Sequence, residues 1–252
     1  MAIRRGSGEV VKAMVLAAGL GTRLRPLTLD RPKPLVAVHG RPLIAYNLLL
    51  LRRYGVTEVI INLHHHGEAL RAALGDGAAF GVRILYSPED PLLDTGGAIK
   101  NAAPLLGDDD FLVLNGDTII DLPLDTLIAA HRAHGAAATL VLRTDPEQAR
   151  YGLVEIDDTR RIRRFLGRPS AVPVPLTAYM FAGVHVLSRR VFDYMPEVRT
   201  FSITRHTYPA MLEAGEQLYG LPFAGFWRVI DTAADLERAS AELADHPPLH
   251  FL

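Results

Sequence analysis

The feature that most limits what this chain can fold into is a repeated switch of hydrophobic period in its first half. Short β-branched runs at 11–16, 58–63, 82–86 and 111–114 alternate with stretches of helical spacing at 43–54, 68–74 and 97–105. Runs such as Ala13-Met14-Val15-Leu16 and Phe111-Leu112-Val113-Leu114 contain no polar alternation, as expected of strands covered on both faces. The expected fold class is therefore α/β: a Rossmann-like, mostly parallel sheet with helices on both faces. Beyond Asp121 the rhythm changes. A helix over 123–134 is followed by strands over 139–143, 152–156, 161–165 and 179–187, read as a small antiparallel extension, and then by a helix, strand and helix at 206–214, 217–221 and 232–243. Residues 1–10 are expected to be a disordered lead, 11–246 a single domain and 247–252 a tail.

Composition excludes several classes. With 27 Lys+Arg against 28 Asp+Glu, the formal charge is −1, which argues against the broad basic surface of a nucleic-acid or anionic-membrane binder. Any phosphate recognition should be local. There are no cysteines, so thiolate metal sites, disulfides and cysteine nucleophiles are excluded. No run approaches the roughly 20 apolar residues of a membrane span, and the run 10–18 leads into glycines, not a cleavage site. The expectation is a cytoplasmic protein.

Ligands of open parallel sheets bind beyond the carboxyl ends of the strands, which directs attention to Leu16-Ala17-Ala18-Gly19-Leu20-Gly21-Thr22-Arg23-Leu24. Small residues and glycines there let backbone approach a ligand, and Arg23 can pair with phosphate oxygens. The plainer alternative is a tight strand-to-helix turn. Neither familiar phosphate fingerprint fits, because G-x-G-x-x-G would need glycine where Leu24 stands and the G-x-x-x-x-G-K-[ST] loop does not match. Farther on, Arg31-Pro32-Lys33-Pro34-Leu35 holds Lys33 in a proline-flanked segment, from which it should face the same anion.

Over 14–35 the chain resembles the sugar-1-phosphate nucleotidyltransferases, whose opening reads L-A-x-G-x-G-T-R-L-x-P-L-T and then K-P. The resemblance implies a GT-A-like fold in which residues 16–23 (Leu16, Ala17, Ala18, Gly19, Gly21, Thr22 and Arg23) wrap the nucleotide, with Arg23 and Lys33 on its phosphates. Glu89-Asp90-Pro91, continuing to Thr95 and Gly96, is similar to the family's base-and-sugar loop. A carboxylate at Glu89 suits the N–H donors of guanine better than the O4 acceptor of uracil or thymine, favouring GTP; the alternative is a solvated turn. Asn115-Gly116-Asp117 after an apolar strand resembles the family's metal motif, making Asp117 a Mg²⁺ ligand and a catalytic residue with Arg23 and Lys33. A second carboxylate is then needed.

Many members supply it in W-x-D-x-G-T, but here Trp227-Arg228-Val229-Ile230-Asp231-Thr232 places Val229 at that position. Residues two apart on a strand share a face, so Asp231 is the expected substitute, as in the similar W-x-x-M-D-T of glucose-1-phosphate cytidylyltransferases. The alternative is that Asp231 only caps the following helix. For the sugar phosphate, Tyr151 and Gly152 resemble Y-G-x-V, Gly183 lies in a variant of N-A-G-I with Phe181 for Asn, and Arg168 replaces the lysine of E-K-P, with Gly167 for its glutamate. The residues from 201 to 227 resemble the mannose-1-phosphate guanylyltransferase branch.

The implied partners are a nucleoside triphosphate and a sugar 1-phosphate, with no nucleic acid or membrane and a homodimer left open; the implied cofactor is Mg²⁺. UTP, CTP or dTTP, a cyclitol phosphate acceptor, and a non-catalytic NDP-sugar-binding paralogue remain as alternatives.

Overall fold

The computed structural model describes residues 11–146, 152–245 and 249–252. Tyr151 and the expected lead 1–10 lie outside these. The first strands are β1 (Lys12–Leu16), β2 (Ala37–Val38), β3 (Arg41–Pro42), β4 (Glu58–Leu63), β5 (Arg83–Pro88), β6 (Phe111–Asn115) and β7 (Thr118–Ile120). They are followed by β8 (Ala138–Arg143), β9 (Leu153–Ile156), β10 (Ile162–Phe165), β11 (Thr177–Leu187), β12 (Leu218–Pro222) and β13 (Trp227–Val229). The helices are α1 (Leu43–Arg53), α2 (Gly67–Leu74), α3 (Asp94–Asn101), α4 (Ala103–Leu106), α5 (Leu124–His134), α6 (Tyr208–Glu213) and α7 (Ala233–Asp245). The fold is mixed α/β, with parallel strands flanked by helices and antiparallel strands.

The described residues divide into two compact units: those within Met1–Leu92, Leu114–Leu122 and Gly225–Leu252 form one, and those within Leu93–Val113 and Pro123–Ala224 the other. In the first unit β1, β4 and β5 run parallel in the order β1-β4-β5, with Val15 opposite Ile61 and Ile60 opposite Leu85. Their central residues, Ala13, Met14, Val15, Val59, Ile60 and Ile61, have no exposed surface, which accounts for the continuous apolar runs: burial on both faces removes the period of two. Helix α1 buries eight of its eleven residues and carries Arg52 and Arg53 in its last turn, where cations complement the helix dipole. β7 pairs antiparallel with β13, Val229 opposite Thr118. Residues 249–252 pack into this unit, with Leu249 and Phe251 buried and the His250 ring against Tyr54.

The second unit is mainly antiparallel. β9 lies between β10 and β11, and β8 lies between β11 and the parallel β12. Helix α5 buries Leu124, Leu127, Ile128 and His131, the spacing of one helical face, and stops at Gly135 in the left-handed conformation. The helical pattern expected over 97–105 is two helices, α3 and α4, the second beginning just before Pro104. The helix expected at 206–214 is α6, entered through a π-helical turn at Ile203–Thr207.

Candidate active site

Beyond Leu16 the chain leaves β1 through the buried Ala17 and Ala18 and emerges at the exposed Gly19 and Leu20. Gly21 has a φ of 62°, and a Cβ there would stand 3.1 Å from both Lys33 Cβ and Thr28 Cγ2. Here glycine answers both a left-handed backbone and a close approach. The buried Thr28 hydroxyl donates to the Gly21 carbonyl at 2.7 Å, folding the loop back on itself. Around Gly19, by contrast, no atom lies within 4 Å of a Cβ position and φ is not positive, so the fold itself does not demand glycine there. Thr22 and Arg23 open a 3₁₀ turn, both exposed.

Lys33 begins a second 3₁₀ turn after Pro32. Its ammonium donates to Asp117 Oδ2 at 2.8 Å and to Asp231 Oδ1 at 2.9 Å, and Arg23 Nη2 stands 3.0 Å from the same Asp231 oxygen. The Lys33 and Asp231 side chains are each 11% exposed, Asp117 is 32% and Arg23 61%. Burial by itself lowers the Lys33 pKa, but the Asp117 and Asp231 carboxylates outweigh it and hold the group above its ordinary value. The lysine is therefore a fixed cation.

The backbone brings these acids together. Gly116 N–H donates to the Leu16 carbonyl at 2.9 Å, and a Cβ on Gly116 would meet that oxygen at 2.6 Å. Only glycine allows the turn after β6 to press on the end of β1, and the next residue is Asp117. On the other side Ile230 N–H donates to the Asp117 carbonyl at 2.9 Å, extending the β7–β13 pairing to the residue before Asp231. Asp231 does not cap α7. That role belongs to Thr232, whose hydroxyl accepts from Asp235 N–H at 3.2 Å while the Asp235 carboxylate accepts from Thr232 N–H at 2.8 Å, a reciprocal capping box. The Asp231 carboxylate is thus turned to Lys33 and Arg23.

Glu89 is buried at 6% exposure, which removes the solvated-turn alternative. Its Oε1 accepts from Asn62 Nδ2 at 2.7 Å, its N–H donates to Leu63 O at 2.8 Å, and its carbonyl is 3.1 Å from His64 Nδ1. Asn62 Oδ1 in turn accepts from Ala17 N–H at 2.7 Å. Asn62, Thr28 and Gly116 are site residues that sequence reasoning did not single out. For Asn62 the signal was a polar residue within the otherwise apolar run Val59-Ile60-Ile61-Asn62-Leu63.

In the second unit Thr95 and Gly96 are committed locally: Thr95 Oγ1 accepts from Ile203 N–H at 3.1 Å, and Gly96 and Gly97 N–H both donate to Phe201 O. A Cβ at Gly96 would collide with the Phe201 ring, so packing of the 199–203 segment on α3 already accounts for that glycine. Among the expected sugar-phosphate residues, Arg168 closes a two-residue turn with Phe165, through paired backbone hydrogen bonds of 2.8 and 3.0 Å. Its central residues Leu166 and Gly167 have φ of 50° and 79°, the backbone of a type I′ hairpin that favours glycine in second place. That geometry explains Gly167 where a glutamate was expected. The Arg168 guanidinium, on a side chain 56% exposed, pairs with Glu213 at 2.7 Å. Gly152 has a φ of 85° and Leu166 Cδ2 fills its Cβ position; the two line an open cavity of about 450 Å³ with Leu153, Glu155, Arg164, Gly167 and Ser170. Gly183, with φ 81°, lies where β11 slips register against β8 between Phe181 and His185, a bulge.

For a divalent cation the fitting donors are Asp117 and Asp231, two carboxylates already turned onto one positive centre. Among the described residues no group of three or more His, Asp or Glu side chains forms a metal cage. The pair suits Mg²⁺, which commonly takes one or two carboxylates and completes its shell with phosphate oxygens and water. No helix among the described residues is long and apolar enough to cross a membrane.

Parallel strands, a glycine loop beyond the first of them and two carboxylates around a lysine define an α/β protein with a charged site beyond its first strand. Comparison with known proteins is more particular: the model of the nucleotidyl transferase family matches residues 12–246, and the chain belongs to that family. It is 37% identical over 234 residues to the mannose-1-phosphate guanylyltransferase of Mycobacterium tuberculosis, covering 92% of this chain and 64% of that protein. It is 34% identical over 242 residues to the UTP–glucose-1-phosphate uridylyltransferase of Synechocystis, covering 91% and 62%. The chain thus spans a little under two thirds of the length of these relatives. A solved structure described as a candidate glucose-1-phosphate thymidylyltransferase from Bacillus anthracis, in complex with sucrose, superposes with a TM-score of 0.81 at 25% identity, covering 94% of this chain and 97% of that one.

Proposed function

We propose that the chain transfers a nucleotidyl group from a nucleoside triphosphate to a sugar 1-phosphate, giving an NDP-sugar and pyrophosphate. One observation carries this reading: Lys33, Arg23, Asp117 and Asp231 converge within 3.0 Å contacts next to a glycine loop. A phosphate oxygen of the sugar 1-phosphate attacks the α-phosphorus in line, the α–β phosphoanhydride breaks, and pyrophosphate leaves on the opposite side. Both reactants are anionic, so the protein's task is alignment and charge neutralisation. Gly19 leaves room for the triphosphate to approach the backbone, while Arg23 and Lys33 bind its phosphates. Mg²⁺, held by Asp117 and Asp231, supplies further positive charge at the reacting phosphates.

GTP is the favoured donor and a mannose 1-phosphate-like sugar the favoured acceptor. A buried Glu89 kept as an acceptor by Asn62 is the right partner for guanine N–H groups, and the mycobacterial relative is a mannose-1-phosphate guanylyltransferase. Arg168 is the proposed cation for the sugar phosphate, with Gly152 and Gly183 on the sugar side, and the setting is the cytoplasm. The test is pyrophosphate release with Mg²⁺, crossing GTP, UTP, CTP, dTTP and ATP against mannose, glucose and other sugar 1-phosphates. Release with GTP and mannose 1-phosphate is expected. Release with another pair would replace those specificities, and none with any pair, alongside NDP-sugar binding, would make the chain a non-catalytic binder.

A further inference from the structure

The Asn62 carboxamide spans two loops. It sits at the carboxyl end of β4, the middle strand of β1-β4-β5, and is 3% exposed. To one side its Oδ1 accepts from the N–H of Ala17, the first residue beyond β1; to the other its Nδ2 donates to Oε1 of Glu89, the first residue beyond β5, each at 2.7 Å. The direction is fixed by chemistry. A peptide N–H can only donate, so the atom facing Ala17 must be the oxygen, the atom facing Glu89 must be the nitrogen, and the Glu89 oxygen must accept.

We propose that Asn62 is a positioning residue that locks the glycine loop to Glu89, so that triphosphate binding and base selection depend on one buried amide. This rests on the nucleotide-binding reading of both loops. No other described side chain hydrogen-bonds the Ala17 N–H, and a buried donor left without its partner is costly. Loss of the amide therefore shifts the strand-to-loop junction at Ala17 and the orientation of the Glu89 carboxylate together.

The direction of the two hydrogen bonds makes the proposal testable by exchanging them. In Asn62→Asp, a carboxylate faces the Glu89 carboxylate where an N–H had been, and like charges at that separation repel. In Glu89→Gln, the side-chain carbonyl still accepts from Asn62 and the lock survives. In Asn62→Asp/Glu89→Gln, the glutamine turns its amide nitrogen to the carboxylate introduced on β4, and the lock is rebuilt with one bond reversed. Triphosphate affinity by calorimetry and the urea midpoint are measured for all four proteins. N62D is expected to bind the triphosphate at least about tenfold more weakly than the wild type, whereas the double variant falls within about threefold of E89Q and recovers its midpoint. Equal loss from N62D in both backgrounds, or wild-type affinity in N62D alone, overturns the proposal. If the wild type binds no triphosphate, the nucleotide reading fails and the proposal with it; the crossed pattern in the urea midpoint then shows whether the structural lock exists. If N62D does not fold, a folded double variant supports the lock and an unfolded one overturns it.

Discussion

In the first unit Lys33 and Asp231, each 11% exposed, meet the half-buried Asp117 and the exposed Arg23 in an ionic cluster drawn from four segments spread over the whole sequence. In the second unit Arg168 sits just past the tip of a two-residue turn, more than half exposed, with an exposed Glu213 as its partner. The first arrangement is held by buried strands, a glycine-enforced turn and the β7–β13 pairing. The second can change partner at little cost, because surface ion pairs contribute about 0–1 kcal/mol. On the proposed function, chemistry that needs geometry fixed in advance would fall to the first arrangement and recognition of the acceptor to the second.

The two arrangements should differ most at the acids. Asp117→Asn and Asp231→Asn should each lower turnover about a hundredfold to a thousandfold while the fold, read by circular dichroism, is kept. Next comes Lys33→Met, which leaves two carboxylates facing without their shared cation. It should lower the unfolding free energy by about 2 kcal/mol or more, read by urea denaturation in the absence of divalent ions, and Mg²⁺ should recover part of that loss.

The units should also differ in acid. In the second, burial lowers the pKa of His185 to about 3 and that of His131 to about 4, so both are neutral in the folded protein. The unfolded chain takes up these protons near the ordinary histidine value of about 6.5. Their stability contribution is therefore present above that pH and lost as pH falls towards 4 and then 3, at up to about 1.4 kcal/mol per pH unit for each histidine. Hydrogen exchange at pH 4–5 should open β8 and β11 before β1 and β4, and His131→Gln should flatten the pH dependence. Smaller effects follow from the surface. Thr232→Ala should cost about 1 kcal/mol through the lost α7 cap, and Glu213→Gln should lower the KM for the sugar phosphate no more than a few-fold.

Much of the first unit was legible because its signals are local. The apolar run ending at Leu16 is the strand β1, Glu58–Leu63 has the expected bounds, and Asn115-Gly116-Asp117 is the turn at the end of β6. Whether Asp231 faced the cluster or capped a helix was open in sequence, because the answer depends on Thr232 and Asp235 taking the cap between themselves. Strands β7 and β13, three residues each, are too short to show a period and exist only through each other. The division into units was hidden for a similar reason: Leu114–Leu122 and Gly225–Leu252 return to the first unit from far along the chain. Asn62 was overlooked because a buried polar residue in a strand reveals its role only when its two hydrogen-bond partners are known.

The most direct test of the central claim is pyrophosphate release from GTP and mannose 1-phosphate by the wild type and Asp231→Asn, side by side with Mg²⁺. Turnover in the wild type with a loss of at least about a hundredfold in the variant is predicted. Equal turnover in the two proteins would contradict the account, because the carboxylate that meets Lys33 and Arg23 would then have no part in the reaction.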